Sequence, residues 1–361
     1  MKKIIRTVGM VACLSLLFAC GAKPATPTTA PTNAPTSTNS PSTPSVPETP
    51  ETVSVKDYFP FEGDVEYIFE GMGNEYATFT RTVDYIDGNR IQIRDNNGGT
   101  EIVKVIEATE DEVRLVYSRA ETYFRESFLK KDSGKPEILL KAPITKGTTW
   151  TMPDGRKSTI TGIDVVVKVP YGEYKAVEVT IDGATGDTIN YYAKGIGLVK
   201  TVYNPGTDEV SSSLKTVTKN KPYTRLMTFY VTNSDAKLLR VNKEVTFKTN
   251  SITRTILQDV YKAVGTEKNS NILSANTKIN SLYLNDDGMV YIDLSKEFVT
   301  EMNAGSEFES MILQSVANTF GDFYGETRVM LTVDDKTYES GHILLDKDEY
   351  LKVDYSKVIE P

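Results

Sequence analysis

Between residues 53 and 219 apolar and polar side chains alternate. Thr78 to Ile86, Arg90 to Arg94, Glu101 to Glu107, Glu112 to Tyr117, Tyr174 to Ile181, Ile189 to Ala193, Leu198 to Tyr203 and Val210 to Val217 each follow a period of two. That is the pattern of a strand with one buried and one wet face. Asp87-Gly88-Asn89, Asn97-Gly98-Gly99, Asp182-Gly183 and Thr185-Gly186-Asp187 lie between such runs, and these residue types supply the positive φ that tight hairpins need. No window holds a sustained 3.6 period. The pattern predicts an N-terminal all-β antiparallel domain over 53–219, built as a sandwich or a half-barrel.

Lys219-Asn220-Lys221-Pro222 ends that pattern, and 223–346 changes class. Leu226 to Thr232 reads as a strand. Ile252, Ile256, Leu257, Val260, Tyr261 and Val264 share one helical face behind Asn250 or Ser251 as a cap. Two strands, Ile279 to Leu284 and Met289 to Leu294, meet at the hairpin signal Asn285-Asp286-Asp287-Gly288. A second helix follows, with Ser306 and Glu309 as a capping box and Phe308, Met311, Ile312, Ser315, Val316, Phe320 and Phe323 as its stripe. Thr327 to Val333 is the next strand. The order β-α-β-β-α-β predicts an α+β two-layer domain with both helices on one sheet face. The change of period implies a separate core for each domain, and 347–361 is left as a C-terminal tail.

Ahead of these domains the composition changes twice. Lys2, Lys3 and Arg6 precede an apolar run from Val8 to Phe18, the layout of a secretory signal; the run is shorter than the ~20 residues of a spanning helix. Leu17-Phe18-Ala19-Cys20 is similar to the lipobox of bacterial lipoproteins. The resemblance implies a signal peptide over 1–19, cleavage before Cys20, and a diacylglycerol on Cys20 that holds the protein to the membrane on the extracytoplasmic side. Residues 20–52 carry the lipidated Cys20 and a Pro/Thr/Ser-rich tether, with eight of the chain's 16 prolines between Lys23 and Thr52. Such a segment builds no core and serves as an extended spacer.

Net charge and scarce residue types narrow the function. The chain is formally −8, and without Lys2, Lys3 and Arg6 it is −11, which disfavours nucleic acid as a partner and leaves membrane lipid, reached through Cys20, as the membrane contact. Both cysteines, Cys13 and Cys20, precede the folded part, and His342 is the single histidine. No disulfide, Cys-ligated metal or multi-His site is expected, no G-x-S-x-G motif accompanies His342, and no catalytic, metal or cofactor residues are assigned. Glu107, Glu110, Asp111 and Glu112 read as a solvated hairpin loop. Gly195-Ile196-Gly197 lacks the third glycine and helix of a phosphate-binding turn. Asp293 and Ser295 stand where a strand gives way to a helix and read as caps. Tyr223, Phe229, Tyr230, Phe320, Phe323 and Tyr324 fall mostly on core positions.

The second domain resembles the GerMN domain of sporulation and germination lipoproteins. The resemblance lies in Leu282-Tyr283-Leu284, in Gly288-Met289-Val290-Tyr291-Ile292-Asp293-Leu294-Ser295-Lys296-Glu297-Phe298, and in Val329 to Lys336; Asp335 stands where the family usually has Gly. It implies a non-catalytic binding or scaffold module of the cell envelope, with an envelope protein or wall component as partner. The alternative from the residues alone is a wall hydrolase using two carboxylates. Leu226 to Thr232 is the strand whose edge is expected to receive the partner.

Overall fold

The alternating half folds as twelve strands, β1 (Val65–Met72), β2 (Phe79–Asp87), β3 (Arg90–Asn96), β4 (Glu101–Ala108), β5 (Glu112–Arg119), β6 (Glu137–Lys141), β7 (Thr149–Thr151), β8 (Lys157–Val169), β9 (Gly172–Ile181), β10 (Thr188–Ala193), β11 (Gly197–Tyr203) and β12 (Val210–Lys219). The computed structural model describes residues 54–203, 208–265, 269–270 and 272–359, so the expected signal peptide, Cys20 and the tether lie outside the described residues. The twelve strands make one sheet in the order β6-β5-β4-β3-β2-β1-β12-β11-β10-β9-β8-β7. The chain meanders from β1 to one edge, crosses to the other edge, and returns until β12 lies beside β1. That crossing takes only residues 142–148, and Trp150 on β7 donates its indole N–H to the Ile138 carbonyl on β6 at 2.9 Å. Edges brought so close require a strongly curved sheet, which decides for the half-barrel. Val65, Val83, Ile93, Ile106, Leu140, Ile160 and Val179 fill its interior, and Val55 and Phe59 close it. The cavity beside Phe59, Tyr67 and Arg81 is about 30 Å³, the space of a single water. This half-barrel is packed.

The second half contains β13 (Tyr223–Asn233), β14 (Leu238–Phe247), α1 (Thr253–Ala263), β15 (Asn269–Ser270), β16 (Ile279–Leu284), β17 (Val290–Leu294), α2 (Glu297–Thr300), α3 (Ser306–Tyr324), β18 (Arg328–Val333), β19 (Lys336–Thr337), β20 (Leu351–Lys352) and β21 (Val358–Ile359). The predicted order is carried by β13, α1, β16, β17, α3 and β18. Its strands divide between two sheets and not one, β15-β13-β14-β21 and β16-β17-β18-β19, with β20 also on β18. β17 and β18 are parallel and need the crossover that α2 and α3 provide. α3 touches β13 of one sheet and β17, β18 and β20 of the other. It is therefore buried around most of its girth, and Leu313, Ala317, Asn318 and Thr319 join the predicted stripe. The stretch 347–361 supplies β20 and β21. Asn318 straps it to α3, donating to the Asp354 carbonyl at 2.7 Å and accepting the Asp354 N–H at 2.9 Å.

The expected caps have other work. Gly305 stands at the N-cap of α3, without a side-chain bond, while Glu309, 2% exposed, accepts from the Tyr338 hydroxyl at 2.8 Å and from Ser340. Asn250 reaches back to the half-barrel and accepts the Ile86 N–H at 2.8 Å.

The halves share a core, contrary to the expectation of two. Residues from Thr52 to Pro361 form one compact unit. Val103, Val105, Val116, Phe124 and Phe128 belong to the same cluster as Phe229, Phe247, Leu257, Ile292 and Phe320. Beside it lies a buried polar clasp. Arg125 donates to the carbonyls of Asp84 at 2.7 Å, Ser251 at 2.7 Å and Lys248 at 3.1 Å, and to the hydroxyls of Tyr85 at 2.8 Å and Thr253 at 3.0 Å. Arg94 bonds the Asp84 carboxylate at 3.1 Å and Glu101 at 2.8 Å under the Tyr223 ring. Burial pushes the Arg94 pKa down, but Asp84 and Glu101 more than reverse this and raise it.

Candidate functional site

β13 pairs along its length with β14, from Tyr223↔Phe247 to Thr232↔Leu238. On its other side β15 pairs only with Thr232 and Asn233. The main chain between has to satisfy its N–H and C=O groups in another way. At Tyr230 side chains replace a strand. The Tyr230 N–H donates to Thr319 Oγ1 at 3.0 Å, Thr319 donates to the Tyr261 hydroxyl at 3.1 Å, and Tyr261 donates to the Tyr230 carbonyl at 3.0 Å. Burial pushes the Tyr261 phenol up, so its proton stays available for that carbonyl.

Strand geometry carries the point further. N–H and C=O groups of alternate residues face the same side, so Leu226 and Thr228 face the same way as Tyr230. No side chain or strand answers their main-chain groups among the described residues. They open on a groove of about 520 Å³ lined by Arg225, Leu226, Thr228, Asp322, Glu326 and Tyr355, among others. Leu226 is 65% exposed. Asp322 accepts from the Tyr230 phenol at 2.6 Å and from Tyr355; burial and that carboxylate push the Tyr230 pKa up to about 12. Arg225 donates to the Tyr123 carbonyl and lies over the Phe323 ring.

Other edges are guarded. β16 has its Ile279 N–H taken by Gln258 at 2.8 Å and its Leu284 N–H by Glu126 at 2.8 Å. The outer edge of β14 carries exposed Arg240, Asn242, Lys243 and Glu244, and charge is an ordinary means of blunting an edge.

The remaining sequence candidates take structural roles. Asp293 is 4% exposed and braces the turn after β18, accepting from Thr332 at 2.6 Å, the Asp335 N–H at 2.8 Å and Asn280 at 2.8 Å. Ser295 accepts the Lys278 N–H at 2.9 Å. Neither caps α2. Asp334 and Asp335 both adopt positive φ, 45° and 61°, so the turn forms without the family's usual Gly. His342 is exposed, with its main-chain N–H on Ser340 Oγ. Glu107 is not in a solvated loop. It sits between Arg90 and Arg114; burial would raise its pKa, and the two guanidiniums outweigh this and lower it. Gly195 and Gly197 form the positive-φ turn between β10 and β11. Phe229, Tyr230, Phe320, Phe323 and Tyr324 are buried. Among the described residues no group of three or more His, Cys, Asp or Glu is placed to hold a metal, and no helix is long and apolar enough to cross a membrane. Asp322, which lines the groove, and Thr319 and Tyr261, which answer the main chain at Tyr230, left no local signal of these roles, because each sits within a helical apolar pattern.

The hairpin β16–β17, the parallel pair β17/β18 and the helices between them make a unit that can be matched as a whole. Residues 228–339 match the Germane family, sporulation and spore germination. The matched stretch takes in β13 from Thr228, all three helices and the strands β14 to β19, and leaves β20, β21 and the half-barrel outside it. Tandem GerMN domains of the sporulation protein GerM from Bacillus subtilis align at 19% identity over 36% of this chain and 46% of that one, with a TM-score of 0.27. This chain thus spans less than half of that relative. A protein of Clostridium perfringens described as a lipoprotein aligns at 20% identity over 36% of this chain and 87% of its own, with a TM-score of 0.24. An exported protein of Bacteroides fragilis with a YmcC-like fold aligns at 12% identity over 45% and 98%, with a TM-score of 0.28. No curated protein matches.

Proposed function

We propose that the protein is a membrane-tethered, non-catalytic docking module on the extracytoplasmic side of the cell envelope, serving sporulation or germination by receiving a strand of another envelope protein at β13. The open edge at Leu226 and Thr228 carries the reading, since adding a strand there completes a ladder that the fold leaves unfinished. The Germane match of residues 228–339 supports the sporulation setting. The lipobox-like Leu17 to Cys20 supports the tether, with a diacylglycerol on Cys20 as the lipid contact.

The carboxyls speak against the hydrolase alternative. Such chemistry needs an acid with a raised pKa facing a second carboxylate across an open site. Glu126 is raised by burial, yet it is committed to the Leu284 N–H. Glu107 and Asp95 are lowered by basic neighbours. The test is crosslinking in intact cells from a photoreactive residue placed at Leu226. A defined adduct is expected, and it should vanish in Thr228→Pro, which removes a groove-facing N–H and the exposed Thr228 Oγ1–Asn242 bond but no main-chain bond to β14. An adduct unchanged by Thr228→Pro refutes docking at this edge. For the tether, Cys20→Ser should leave the detergent phase on partitioning; its retention there after signal removal refutes lipid anchoring.

A further inference from the structure

Resting on that docking reading, we propose that the strand received by β13 is a basic one: an extended Lys- or Arg-bearing segment of a partner envelope protein. The groove is asymmetric in charge. Asp322 and Glu326 line it where α3 ends, and the C-terminal end of a 19-residue helix adds the partial negative charge of its last carbonyls. Glu326 makes no side-chain hydrogen bond or ion pair among the described residues. Arg225 is the sole cation of the lining, and its guanidinium is held by the Tyr123 carbonyl and the Phe323 ring. A strand laid along Leu226 and Thr228 passes the end of α3, and a cationic side chain there meets the Glu326 carboxylate without a competing side chain, beside Asp322, whose oxygens accept from Tyr230 and Tyr355. Other occupants fit less well. A second copy of the chain would bring its own Asp322 and Glu326 to the same edge, on a molecule of net charge −8. The chain's own residues 23–52 offer one cation, Lys23, and prolines that donate no N–H to a ladder.

Fluorescence anisotropy on the full chain tests this with two labelled peptides, one alternating Val and Lys, the other alternating Val and Glu. At low salt the Lys peptide should bind about five- to tenfold more tightly, a ratio that shrinks at high salt. Glu326→Gln should keep binding but cut that ratio about twofold. Thr228→Pro should abolish binding of both, with circular dichroism confirming the fold; Leu226→Pro stands in should Thr228→Pro not fold. Equal binding of the two peptides overturns the basic partner and leaves docking intact. A preference left undiminished by Glu326→Gln also overturns it, since the preference then belongs to the molecule's general charge. Failure of both peptides to bind overturns the docking reading itself.

Discussion

Asp95 and Glu126 are both desolvated carboxyls, and their neighbours drive them in opposite directions. Burial alone would raise the Asp95 pKa, but Arg81, at 2.7 and 2.9 Å, and Lys104, at 2.9 Å, outweigh it and hold the carboxyl well below the usual range. A depressed folded pKa gives stability that is present above the unfolded value, near 4, and is lost as pH falls through the folded one. Asp95→Asn should therefore cost about 3 kcal/mol at neutral pH by leaving two cations unpaired, and much less near pH 2, measured by urea unfolding at both. Glu126 has the other sign. Burial raises its pKa, only partly offset by the bonds from Tyr324 and the Leu284 N–H, so between the unfolded and the folded pKa the folded state keeps a proton that the unfolded state releases. Its penalty grows as pH rises above about 4. Glu126→Gln keeps an acceptor for Leu284, and its thermal midpoint should exceed the parent's at pH 7 and approach it at pH 4.

Elements show how a hydroxyl can stand in for a strand. Thr319→Val removes the acceptor of the Tyr230 N–H and the donor to Tyr261, and an unanswered buried group costs about 1–3 kcal/mol. Amide exchange at Tyr230 should accelerate in that variant, while Leu226 and Thr228, already open to the groove, should exchange fast in the parent and stay so. This edge was only half legible. Leu226 to Thr232 alternates and was readable as a strand, but its openness depends on Thr319 and Tyr261, which arrive from two helices. β14 escaped notice because its wet edge carries Arg240, Asn242, Lys243 and Glu244, which break the apolar alternation. β8 escaped for a different reason: Val165-Val166-Val167 follows a bulge at Gly162 to Val165, where the side-chain period slips. The hairpin turns were readable because Gly88, Gly98, Gly195 and Gly288 all take positive φ, a demand that the local sequence alone answers. Asn250, Ser306 and Glu309 resembled caps because a cap and a long-range hydrogen bond use the same side chains.

For the whole molecule, the shared core and the Arg125 clasp predict one cooperative unfolding transition for the folded part, with calorimetric and van't Hoff enthalpies in agreement. Arg125→Met should lower stability by about 3–5 kcal/mol, since the Asp84 carboxylate loses one of its two guanidinium partners, 3.4 Å away, and several main-chain carbonyls lose a donor, and should do so without splitting the transition. Two resolved transitions would show that the halves fold separately. One feature at their meeting point has a mechanical meaning. Val65 and Lys219, where the chain enters and leaves the half-barrel, are paired neighbours. Just ahead of them Asp64 exchanges bonds with Thr249, at 2.8 and 2.7 Å, and its carbonyl takes the Lys221 N–H at 2.7 Å. Tension entering at residue 54 and resisted at β13 thus has a bypass through Asp64, straight across to Thr249 and Lys221. The twelve-stranded sheet hangs beside that line of force as an unloaded side loop, and Asp64→Ala, which removes the carboxylate's bond from the Thr249 N–H and leaves the two main-chain bonds, would shift part of the strain onto β1 and β12, whose ladder then opens from its end like a zip.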